Sequence, residues 1–137
     1  MIMIDTTPLV ALCNDQDQHH ARALKDLDRL SKRGIVTCAA VLTEACYHLS
    51  TPFGRRRLVD VMEDLSVTPV AEESDAGVRA EVFAWLLRYA EHGPDFTDGM
   101  LAVLSGRRRR MRVWTYDSEF SKLWRRPDGT RIPLAAV

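Results

Sequence analysis

Short apolar runs alternate with longer amphipathic ones along the chain, and this alternation restricts its fold more than any other feature. "MIMI" (1–4), "IVT" (35–37), "VTPV" (67–70) and "MRVWT" (111–115) have the length and residue types of strands. The segments between them are long enough for helices. Pro8 suits a helix start, with Leu9, Val10 and Leu12 forming a brief apolar turn. From Gln16 to Lys32, Ala21, Leu24, Leu27 and Leu30 recur every third residue; this predicts a helix carrying them as one stripe, stopped by Gly34. "CAAVLTEACYHL" (38–49) predicts a mostly buried helix, and Pro52 opens another with Leu58, Val61, Met62 and Leu65 on one face. Ala76 to Glu91 reads as a helix aligning Val78, Val82, Leu86 and Tyr89, and "FTDGMLAVLSG" as one closed by Gly106. "SEFSKLW" predicts a short helix and "IPLAAV" a last edge strand.

Strands separated by helices require crossovers, which place the strands parallel and cover the sheet on both faces. The expected fold is therefore α/β, a three-layer α/β/α sandwich on a central parallel sheet of about four to five strands. The 137 residues read as one domain, 1–137, without repeats or a linker. In such sheets ligands sit beyond the carboxyl ends of the strands.

With 46% hydrophobic and 28% charged residues, the chain reads as an ordinary globular protein. Cys13, Cys38 and Cys46 show no CxxC spacing and read as reduced, buried side chains. No apolar stretch approaches the ~18 residues of a membrane span. The start lacks a basic leader region and carries Asp5, so neither a secretory nor a lipoprotein signal is expected, and the cytoplasm is the expected location.

Carboxylates then stand where that fold would gather them. Asp5 ends the first strand, Asp117 follows the fourth, and Asp98 opens the helix leading into the fourth. Glu44 lies in an apolar helix, where a carboxylate is expensive to bury alone. Clustered carboxylates repel one another unless a cation neutralises them, and an oxygen-only donor set favours Mg2+ or Mn2+ over zinc. For Asp95, helix capping and an outer place in this site both remain open. The charges balance, 19 basic against 19 acidic residues, so acids gathered at one place leave the remaining surface net basic, which suits a polyanion.

Four segments, in order, carry a resemblance that spans essentially the whole chain. "IDTTPLVAL", "LTEACYHL", "FTDGMLAVL" and "VWTYDSEF" resemble the acidic motifs of the PIN-domain nucleases, in particular the VapC-type toxins of toxin–antitoxin systems. Thr7 stands where many relatives carry Ser, and Gly99 where Ala is usual. The resemblance implies a metal-dependent endoribonuclease with Asp5, Glu44, Asp98 and Asp117 as catalytic and metal-holding residues. Asp95 is implied as an outer-shell acid in part of the family, and Thr115 as a residue orienting Asp117 or a bound water. It also implies an RNA substrate, an antitoxin that blocks the acidic site and a second copy of the chain as partners.

Arginines supply candidate RNA contacts. Arg125 and Arg126 lie close in sequence to Asp117, and Arg107 and Arg108 open the run "GRRRRMR" (106–112), which also reads as a solvated connector. His19, His20, His48 and His92 read as surface or capping residues, and Trp85, Trp114 and Trp124 as core. Competing function classes are a catalytically silent PIN-like scaffold and an aspartyl-nucleophile phosphatase built on Asp5. The second usually wants another Asp two residues on, where this chain has Thr7. A receiver-like signalling domain lacks its early acid pair.

Overall fold

The computed structural model describes residues 1–136. Four parallel strands, β1 (Ile2–Ile4), β2 (Ile35–Thr37), β3 (Thr68–Pro69) and β4 (Arg112–Trp114), form a sheet in the order β3-β2-β1-β4. Ile2 pairs with both Ile35 and Arg112, and Thr37 with Pro69. Beyond Pro69 the Val70 N–H donates to the Thr37 carbonyl at 2.9 Å. β1 and β2 are buried throughout and β4 from Val113 onward, which is why these stretches read as apolar runs rather than alternating ones. The chain lays β2 and then β3 to one side of β1 before crossing to place β4 on the other.

Helices flank the sheet as an α/β/α arrangement. α1 (Thr6–Cys13) packs against α2 (His20–Leu30), α3 (Ala39–His48) and α4 (Pro52–Asp64). α5 (Val78–Arg88) packs along α6 (Phe96–Arg107), and α7 (Glu119–Lys122) is a single turn after β4. Trp85, Trp114 and Trp124 are buried, with the Trp85 and Trp124 rings 5.3 Å apart. Cys13 and Cys38 are buried free thiols, each pushed up to about 11 by burial. That keeps them protonated and unreactive.

Several details differ from the expectations drawn from sequence. Ala21, Leu24, Leu27 and Leu30 do not share one face: Ala21 and Leu24 are exposed, and Ala23, Asp26 and Leu30 are buried. A three-residue spacing falls short of the 3.6-residue turn by roughly 60° at each step, so the ends of the stripe lie on opposite sides. α3 is not mostly buried either; only Val41 and Ala45 are, and Tyr47 is 80% exposed. Gly106 does not stop α6, which continues to Arg107. "IPLAAV" contributes one parallel bridge, Leu134 to Val113, rather than a strand, and its Val137 lies outside the described residues.

Gly99 has a spatial reason. A Cβ there would stand 3.0 Å from Val82 Cγ1 and 3.3 Å from Trp85 Cε3 on α5. The missing side chain is what lets α6 approach α5 this closely.

Candidate active site

Because β2 and β4 lie on opposite sides of β1, the strand order switches between β1 and β4, and a crevice opens beyond their carboxyl ends. Asp5 leaves β1 there, tied to β4 by its N–H donating to the Trp114 carbonyl at 2.9 Å. Its side chain caps α1, accepting the Thr6 N–H on Oδ1 at 2.7 Å. Oδ2 accepts the Thr115 hydroxyl at 2.7 Å, and the same hydroxyl oxygen accepts the Asp117 N–H at 3.1 Å. One threonine thus couples the acid after β1 to the acid after β4. Thr7, in place of serine, keeps a working hydroxyl, whose oxygen accepts the Tyr116 N–H at 3.0 Å.

Glu44 approaches from α3, accepting the Thr6 hydroxyl at 2.9 Å. Asp98 sits at the start of α6 in a reciprocal capping box: its N–H donates to Asp95 Oδ1 at 2.8 Å, and its Oδ2 accepts the Asp95 N–H at 3.1 Å. Asp95 is therefore a helix cap, and it is exposed.

Electrostatics ties these groups together. Asp5 is only 6% exposed, and burial pushes its carboxyl up to about 6, against hydrogen bonds from Thr115 and Thr6 that hold it down; the charges of Glu44 and Asp117 add to the rise. Asp98 is pushed up to about 8, first by burial and then by the charges of Asp95, Asp117 and Asp5. Among the described residues, no Lys or Arg forms an ion pair with Asp5, Glu44, Asp98 or Asp117.

That combination, all-oxygen donors and buried negative charge without a cation, is chemically suited to a hard divalent ion. As the side chains stand, no three His, Cys, Asp or Glu among the described residues converge tightly enough to hold one. Glu44 is engaged by Thr6 and Asp98 by the Asp95 backbone, so gripping an ion needs these two to rotate from their present partners.

The loop bearing Thr115 and Asp117 has a second anchor that the sequence did not disclose. The Tyr116 hydroxyl donates to Asp26 Oδ2 at 2.8 Å, and Asp26 is buried on α2 between Arg22 and Arg29. Arg22 also lies over the Tyr116 ring at 4.4 Å, and the His19 ring stacks on it at 4.9 Å. Nothing local marked Asp26, since its partner is 90 residues away. Tyr116→Phe leaves one oxygen of a buried carboxylate short of a donor, so it should lower stability by about 1–3 kcal/mol. A thermal melt measures that loss, and an unchanged midpoint shows the clamp to be idle.

The four arginines singled out in the sequence are engaged within the chain. Arg107 pairs with Glu81, and Arg108 with Glu72 at 2.6 Å. Arg125 donates to the Trp124 carbonyl at 2.9 Å, and Arg126 to the Ser105 carbonyl at 2.6 Å. Burial also lowers the Arg126 guanidinium from its usual range. His19 and His48 line a shallow cavity of about 180 Å3 beside Thr6 and Thr7, next to the acids.

Comparison with known proteins agrees with this architecture. A crystal structure of Mycobacterium tuberculosis VapC20, described as a sarcin-ricin loop cleaving toxin, matches with TM-score 0.68 and 26% identity over 89% of this chain and 94% of that one. A VapBC2 structure from Rickettsia felis, bound to a promoter DNA fragment, shares the fold at TM-score 0.64 and 17% identity, over 98% of this chain and 97% of that one. No curated protein sequence matches the chain. The PIN domain family model matches residues 2–125, so the chain belongs to the PIN domain family.

Proposed function

We propose that this protein is a metal-dependent endoribonuclease, the toxin of a toxin–antitoxin pair, in which Asp5, Glu44, Asp98 and Asp117 hold Mg2+ or Mn2+. The observation that carries this reading is the set of carboxylates from four separate elements at the switch point of a PIN-domain sheet, with no cation of the chain's own to offset them. The likeness to a toxin that cleaves the sarcin-ricin loop supports RNA as substrate.

When bound, the divalent ion supplies a hydroxide near neutral pH and stabilises the charge on the leaving oxygen. The chain's own residues do the positioning. The Thr6 N–H and Thr115 hydroxyl fix both oxygens of Asp5, and the Asp117 N–H is held by the same Thr115 oxygen. The Tyr116 clamp fixes the loop from the far side. No histidine base is required.

As partners the reading includes a cognate antitoxin and a second copy of the chain, in the cytoplasm. Exposed apolar side chains on α3 and α4, Tyr47 at 80% and Phe53 at 76%, support protein contacts there. No helix among the described residues is long and apolar enough to cross a membrane.

The test is incubation of purified protein with total RNA in Mg2+, Mn2+ and EDTA, alongside Glu44→Gln. Metal-dependent bands that weaken in the variant are expected. Bands that persist in EDTA, or that Glu44→Gln leaves at full strength, refute the metal assignment. Absence of both cleavage and metal binding would instead favour the silent scaffold.

A further inference from the structure

The far end of the sheet carries the opposite charge. In a parallel sheet the amino ends of the strands lie together, and here β1 and β4 are in register from Ile2 and Arg112. The turn after α2 brings Arg33 to this end, and the loop after α6 brings Arg109 and Arg110. With Arg112 they line an open cavity of about 570 Å3, floored by Met111. Its lining among the described residues contains four arginines and no carboxylate. All four are exposed, and among the described residues none of them is in an ion pair. Arg112 donates one N–H to the Leu134 carbonyl at 3.3 Å and keeps its remaining donors.

Helix dipoles do not account for this cluster. Cations favour the last turn of a helix, and the effect fades within that turn. Arg107 ends α6 and Arg108 caps it, and those two are the ones paired with Glu81 and Glu72. Arg109, Arg110 and Arg112 lie beyond the reach of the dipole. The run of five arginines is thereby divided between two structural acid–base pairs and three charges turned to a cavity. Four like charges lining one cavity repel one another unless an anion joins them.

We propose that this arginine cavity binds the phosphate backbone of the RNA substrate at a point remote from the acidic crevice. That the nucleic acid is the substrate rests on the nuclease reading; the surface itself does not. The chain has net charge zero, and its acidic crevice repels phosphate, so attraction of a polyanion has to come from a local positive field. Guanidinium groups suit that role, because each can donate two parallel hydrogen bonds to one phosphate. The reach is modest. A three-residue strand is about 10 Å long, and a nucleic-acid strand in a helix advances ~3.4 Å per residue. A folded RNA can therefore touch both ends of the sheet, as a single nucleotide cannot. Such contacts position the strand without reading its sequence.

The experiment is a titration of a fluorescent RNA hairpin, and of a DNA hairpin of the same sequence, in EDTA at several salt concentrations. It compares the wild type, the triple variant Arg109→Gln/Arg110→Gln/Arg112→Gln and, on a separate element, Arg33→Gln. A charge-matched control, Lys25→Gln/Arg55→Gln/Arg79→Gln, carries the same change in net charge away from the cavity. The triple variant should weaken RNA binding about tenfold or more and reduce the slope of log affinity against log salt by about 2. Arg33→Gln should shift both in the same direction by less, and the control should shift neither as far. RNA binding that is unchanged in both cavity variants overturns the proposal. So does a loss seen with DNA and not with RNA, or an equal loss in the control. Because EDTA removes metal, this titration reads binding alone; a wild type that binds here but leaves the same RNA uncut in Mg2+ and in Mn2+ refutes the nuclease reading and leaves this surface standing.

Discussion

Asp98→Asn should abolish RNA cleavage and, in the same protein, raise the metal-free melting temperature. A residue needed only for the fold would move these two readouts together, whereas a half-buried acid kept for chemistry moves them apart. Burial and the charges of Asp95, Asp117 and Asp5 push Asp98 up to about 8 from an unfolded value of 3.8, so at neutral pH the fold carries a carboxyl it would rather keep protonated. Asparagine removes that penalty and can still accept the Asp95 N–H through its amide oxygen. Asp98 is partly exposed, so after allowance for solvent screening the gain is about 1–2 kcal/mol, or roughly 4–8 °C for a domain of this size. Cleavage should fall by about three orders of magnitude, corresponding to the several kcal/mol a bound metal supplies at a phosphodiester. Calorimetry and a gel-based cleavage assay on one preparation read both effects. A lower melting temperature would reduce Asp98 to a helix cap.

The second large effect is linkage among pH, metal and stability. Asp5 and Asp98 both titrate higher in the folded chain than in the unfolded one, at about 6 and about 8 against 3.8. The fold therefore binds more protons than the unfolded chain between those values. Their contribution to stability is complete below about pH 4 and is lost as pH rises through 6 and then 8. Without metal, the melting temperature contributed by this site should decline across that window. Saturating Mg2+ or Mn2+ should reverse the decline, because an ion that binds only the folded chain adds about 2.7 kcal/mol at one hundred times its dissociation constant. Chelation should restore the original slope, and Asp5→Asn should show little response to either. Melting curves at pH 5 and pH 8, with metal and with EDTA, decide it; equal metal shifts in wild type and Asp5→Asn would rule these acids out as the ion's ligands.

The elements were legible in the sequence where chemistry is local. Ile2–Ile4, Ile35–Thr37 and the Val113–Trp114 end of the fourth strand are buried, and a buried parallel strand cannot avoid reading as an apolar run. Asp5 and Asp117 stood out as candidates because strand ends in such sheets are where ligands lie, and Asp98 because it falls in the first turn of a helix. What escaped were relations between distant residues. Asp26, with Arg22 and Arg29 a helical turn to either side, looked like an ordinary helix-surface acid, and only the fold brings Tyr116 onto it. Arg107 and Arg108 looked no different from Arg109 and Arg110 until Glu81 and Glu72 arrived from α5 and the turn before it. The α2 stripe misled for a geometric reason, since three-residue spacing imitates a helical face over one turn and leaves it over three.

Pro69 gives the outer edge of the sheet a further consequence. Val70 turns its N–H inward to the Thr37 carbonyl, so the backbone nitrogen of the preceding residue faces the open side of β3, and there proline has no hydrogen to offer. At the opposite margin the Leu134 bridge lies over β4. Neither border presents a continuous row of free donors to another chain, so the sheet resists polymerising by strand addition. A single imino acid thus closes the one sheet margin that no further segment covers among the described residues.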